Sequence, residues 1–83
     1  MEMKLCDVKK NRAYKVLNIL IQDKQVLEKL NNFGLNIGNY VMVVRSNFFK
    51  RTYVISINGM RYIIDKSICE KIFVKALWIK KKS

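Results

Sequence analysis

Two glycines four positions apart constrain this chain more than any other feature. They stand in Leu30-Asn31-Asn32-Phe33-Gly34-Leu35-Asn36-Ile37-Gly38, and the apolar run Tyr40-Val41-Met42-Val43-Val44 follows at once. Gly34 comes directly after a short helical pattern, where a left-handed residue closes the last turn. Gly38 falls where a tight turn with positive φ launches the next element. A short helix therefore stops, reverses over four residues and feeds a β-strand.

The helix itself is legible over 24–33. Asp23 is placed to cap it, and Val26, Leu27, Leu30 and Phe33 fall on one apolar stripe. Lys24, Glu28, Lys29, Asn31 and Asn32 cover the remaining surface. Around it the chain reads as β. Leu5 and Val8 form a lead-in that plugs the core, Lys9-Lys10-Asn11 turns the chain, and residues 12–21 make a strand rich in β-formers on both faces. Three strands follow Gly38: 39–46, then Thr52–Ile57 after the loop Asn47-Phe48-Phe49-Lys50-Arg51, then Met60–Ile64. Asn58-Gly59 between the last two is the signature of a type I′ hairpin, whose two central residues both need φ > 0. Ser67-Ile68-Cys69-Glu70 has capping-box spacing, which predicts a single helical turn near 67–71, and Ile72-Phe73-Val74 is the fifth strand.

The predicted fold is mainly β. Five short strands with one inserted helix bury a core best by curling into a small, partly open barrel. Its expected core is Leu5, Val16, Ile19, Leu30, Val41, Val43, Ile55, Ile57, Ile64 and Ile72. With 83 residues this is one domain, read as 1–75, and 76–83 form a basic tail.

Composition narrows function. There is no histidine, the six carboxylates are scattered, and Cys6 and Cys69 form no C-x-x-C pair. Neither a metal site, a cofactor site nor an activated nucleophile is expected, so the chain is not read as an enzyme. No apolar run approaches the ~20 residues of a membrane span, and a cytoplasmic location is the default expectation. The net charge is +11, of which residues 41–83 carry +8. That excess suits a polyanion, either nucleic acid or an anionic membrane surface. It also fits drift toward the lysine, isoleucine and asparagine that A/T-rich codons favour. Phe48-Phe49-Lys50-Arg51-Thr52-Tyr53 interleaves aromatics and cations and gives a nucleic-acid-binding small barrel some support, although Lys far outnumbers Arg.

Five segments in order resemble the FeoA family: Leu5-Cys6-Asp7-Val8, residues 29–38, Val41-Met42-Val43-Val44-Arg45, Ile55-Ser56-Ile57-Asn58-Gly59-Met60-Arg61-Tyr62, and Cys69-Glu70-Lys71-Ile72-Phe73-Val74. The resemblance implies an SH3-like barrel that serves as a cytosolic accessory to FeoB, the membrane ferrous-iron transporter with a G-protein domain. Where the family often has Pro-Gly, this chain has Lys10-Asn11, and Asn11 can supply the same turn. With FeoB as the partner, the docking surface is expected on the helix face and the Gly34–Gly38 turn. Leu30 leads it, with Phe33 and Leu35 beside it and Arg45, Arg51 and Arg61 in polar contact, although core packing is the more usual role for at least two of the three apolar residues. Trp78 with Lys80-Lys81-Lys82 is either a weak contact to an anionic membrane or a frayed end.

Overall fold

The computed structural model describes residues 2–77. Its strands are β1 (Glu2–Lys4), β2 (Ala13–Ile19), β3 (Tyr40–Asn47), β4 (Thr52–Ile57), β5 (Met60–Asp65) and β6 (Ile72–Ala76). Helix α1 covers Lys24–Phe33, a single helical turn α2 covers Lys66–Cys69, and a 3-10 turn covers Leu5–Asp7. All six strands join one antiparallel sheet in the order β1-β6-β2-β3-β4-β5. The last strand is thus inserted between the first two, and β1 and β5 are the sheet's edges.

Strand β1 corrects the expected count from five to six. It pairs Glu2 with Lys75, Met3 with Val74 and Lys4 with Phe73. Nothing local in Glu2-Met3-Lys4 announces a strand, because only the distant β6 gives it a partner. The strand expected over 12–21 is shorter, Ala13–Ile19, and is bulged at Leu17, between Val16 and Asn18. A bulge adds one residue and flips the side chains beyond it. Tyr14 and Val16 face the core before it, and Ile21 is buried after it, while Leu20 is exposed. A second bulge at Val44 in β3 does the same. Val43 faces inward opposite Ile55, and Arg45 falls opposite Val54 on the outer face. Without the extra residue the period-2 alternation would carry Arg45 into the core.

The core takes in nine of the ten expected residues, with Ile19 half-buried against it, and adds Tyr14, Ile21, Leu35, Cys69 and Val74. Asp23 caps α1, its Oδ1 accepting from the backbone N–H of Gln25 at 2.9 Å and of Val26 at 3.4 Å. The capping box at Ser67 does not form. The residue before α2 is Asp65, with no side-chain cap. The N–H of Lys66 instead donates to the carbonyl of Arg51 at 2.9 Å. A neighbouring loop thereby satisfies the first donor of α2, while the N–H of Glu70, the one a Ser67 cap would have held, donates to the carbonyl of Lys66 at 2.9 Å.

Candidate functional site

The helix–turn segment is built as a complete C-cap. Gly34 has φ 93°, its N–H donates to the carbonyl of Asn31 at 3.0 Å, and the N–H of Leu35 donates to the carbonyl of Leu30 at 2.9 Å. This is the paired hydrogen-bond pattern of a Schellman motif, with its apolar contact supplied by Leu30 and Leu35. Gly38 has φ 97°, and the N–H of Asn39 closes the reverse turn onto the carbonyl of Asn36 at 3.0 Å. The Asn39 side-chain Nδ2 donates to the carbonyl of Gly34 at 2.8 Å. Gly38 N–H then donates to Val16 carbonyl at 2.8 Å, which ties the turn to β2. Asn58 (φ 53°) and Gly59 (φ 82°) form the expected left-handed pair of the β4–β5 hairpin, and Asn11 takes φ 63°.

This geometry divides the expected docking residues. Leu30 is 2% exposed and Leu35 1%, so both side chains are core, and neither presents a surface to a partner. The reason is the C-cap itself: its bonds turn the chain so that both leucines join the one buried core. Phe33 is half-buried and stacks on Tyr62 of β5, with ring centroids 4.3 Å apart and planes 10° apart. What remains open beside the helix is a shallow groove of about 510 Å³ lined by Ile19, Lys24, Leu27, Glu28, Asn31 and Ile37, with Leu35 at its floor. Ile37, 63% exposed, was not among the expected docking residues. Its signal was available: an isoleucine inside a turn between Asn36 and Gly38 is an apolar side chain with no core to enter.

The three arginines are distributed elsewhere, and none lines that groove. Arg45 and Arg61 share the outer face of the β3-β4-β5 sheet. Arg45 lies opposite Val54, itself opposite Ile63, and Arg61 lies opposite Ser56 in the neighbouring row. Arg51, at φ 54°, ends the β3–β4 loop. Trp78 and Lys80–Lys82 lie outside the described residues.

Cys69 of α2 is fully buried and Cys6 of the 3-10 turn half-buried, both as free thiols. Burial pushes the Cys69 thiol up to about 12, helped by the negative potential of Cys6 and Glu70. Burial also raises Cys6, with Asp7 and Glu70 adding to it. Both sulfurs are therefore neutral at ordinary pH and poor nucleophiles. Among the described residues no three His, Cys, Asp or Glu side chains gather as a metal site would need.

The fold and the order of these segments meet in one comparison: the FeoA domain model matches residues 3–76. The chain belongs to the FeoA family. Solved structures place this FeoA-family member among SH3-like neighbours. An iron uptake regulatory protein (FeoA) is 27% identical, with 93% of this chain and 99% of that one covered and a TM-score of 0.77. The FeoA protein from Chlorobium tepidum is 24% identical, with 95% and 74% covered and a TM-score of 0.85. The metal-dependent transcriptional regulator MtsR shares the fold over 36% of its chain, at 20% identity and a TM-score of 0.73. No curated protein matches the chain.

Proposed function

We propose that this chain is a non-catalytic accessory protein of ferrous-iron transport that docks on the cytosolic side of a FeoB-type transporter. The observation that carries the reading is the FeoA domain match, which runs through every described strand and both helices, from residue 3 to residue 76. One FeoA-like structure of this fold, from Clostridium thermocellum, is described as an iron(II) transport protein A, at 19% identity. Among the described residues no helix is long and apolar enough to cross a membrane, so an effect on transport would be exerted from outside the bilayer.

The docking surface is the groove between α1 and the 34–38 turn, with Ile37 and Leu27 as apolar contacts and Lys24 and Glu28 as the charged groups on its helix. Leu30 and Leu35 set the shape of that surface from beneath. A binding assay against the transporter's cytosolic domain tests this, with Ile37→Glu and Lys24→Glu variants whose folding is checked by circular dichroism. Both residues are exposed, so both variants retain the fold. Weaker binding of either variant supports the groove. Unchanged binding by both refutes it, and no binding by the parent refutes the docking itself.

A further inference from the structure

Phe48 is 87% exposed and Phe49 93%, the two most exposed large apolar side chains among the described residues. They are adjacent at the tip of the β3–β4 loop and contact each other edge to face, with centroids 5.8 Å apart and planes at 78°. The loop that carries them is firmly held. Asn47 pairs with Thr52 as the last rung of the ladder, Asn47 Oδ1 accepts from Lys50 N–H at 3.0 Å, and the Arg51 carbonyl accepts from Lys66 N–H at 2.9 Å. Two phenylalanines are thus presented outward by a fixed turn, with no contact that folding needs.

Cations surround them. Lys50 and Arg51 belong to the loop, and Lys66 lines a cleft of about 480 Å³ with Arg51, Tyr53 and both phenylalanines. Asp65, exposed opposite Thr52, is the acidic residue beside this cluster. We propose that the β3–β4 loop is a membrane-surface anchor, with Phe48 and Phe49 entering the acyl boundary of an anionic phospholipid bilayer and Lys50, Arg51 and Lys66 meeting its headgroup phosphates. Apolar rings without a hydrogen-bonding group suit the hydrocarbon boundary, and flanking cations suit the negative surface potential. The excess of +8 over residues 41–83 adds a matching long-range attraction. A single-stranded nucleic acid fits less well. Successive bases stack on flat, separately exposed faces, whereas here one ring's edge covers the face of the other.

Cosedimentation of the full chain with vesicles tests the anchor, using phosphatidylcholine alone and phosphatidylcholine with phosphatidylglycerol. The parent is expected to bind the anionic vesicles. Phe48→Ser/Phe49→Ser should lower that partitioning by about ten-fold or more while leaving the unfolding midpoint unchanged. Lys50→Gln/Lys66→Gln should reduce the preference for phosphatidylglycerol. Equal partitioning by parent and the phenylalanine variant overturns the proposal. So does absence of parent binding, binding to a single-stranded oligonucleotide in place of vesicles, or a phenylalanine-dependent dimer that sediments without lipid. The vesicles contain no transporter, so this result and that of the docking assay stand apart.

Discussion

The chain reverses direction twice around β3, and the two reversals treat their apolar side chains in opposite ways. Between α1 and β3, residues 34–38 turn Leu35 into the core and lock onto Leu30, Asn31 and Val16 through backbone hydrogen bonds. Between β3 and β4, residues 48–51 hold Phe48 and Phe49 out in solvent, and the loop's hydrogen bonds fix its own shape and anchor its end to α2. The first is a structural joint whose sequence is dictated by packing. The second has no packing duty, so its aromatics call for an explanation outside the domain. Apolar content alone does not distinguish the two; the direction of the side chains does.

Truncating the joint should produce the largest losses. Leu30→Ala and Leu35→Ala are each expected to cost about 2–5 kcal/mol in urea unfolding, through lost burial and a residual cavity. A loss below about 0.5 kcal/mol at both would return these leucines to the surface and erase the contrast. Gly34→Val comes next, at about 2–4 kcal/mol. The new side chain is strained at φ 93°, and its Cβ meets Ile57 Cγ2 at 3.2 Å. Gly38→Val carries only the backbone strain, about 1–3 kcal/mol, since nothing lies within 4 Å of its Cβ. Equal effects at the two glycines would mean that the helix end does not abut the β4–β5 hairpin.

Alkaline pH probes the footing of the exposed loop, because α2 both holds the Arg51 carbonyl and carries the buried Cys69. In the unfolded chain this thiol ionises near 9, and in the folded protein near 12. The native state is thus favoured below 9 and loses stability as pH rises from 9 toward 12, by about 1.4 kcal/mol per unit from this group. Unfolding midpoints at pH 8 and 10 measure it, and Cys69→Ala should flatten the dependence. The smallest effect belongs to the loop tip. Phe48→Ser/Phe49→Ser should change stability by less than about 0.5 kcal/mol, and a larger loss would show that these rings pack after all.

Much of this contrast could be read in the residues. Helix 24–33 with its Asp23 cap, the left-handed Gly34 and Gly38, and the Asn58-Gly59 hairpin all follow from local rules of capping and positive φ. What local rules do not encode is pairing across the sequence. Strand β1 exists only because residues 73–75 come to meet it. The bulges at Leu17 and Val44 decide which residues of β2 and β3 face inward, and each is a compromise with a neighbouring strand. For the same reason the residues alone leave Leu35 between docking and core: the sequence marks it as apolar beside a turn, but only the closed C-cap shows which way it points. Ser67 has capping-box spacing, but α2 starts one residue before it because the Lys66 N–H finds the Arg51 carbonyl, fifteen positions earlier in the chain.

The place of β6 between β1 and β2 also sets an order of assembly. Strands β2 to β5 form consecutive antiparallel pairs and can zip locally, each pair closing a modest loop. β6 must then dock along β2, 53 to 62 residues earlier in the chain, before β1 has anything to pair with. Such distant pairings slow folding, because their closure entropy is paid before contacts compensate it. The N-terminal segment therefore waits unpaired until residues 72–76 have docked along β2, and the edge strand β1 is the last piece that the sheet acquires.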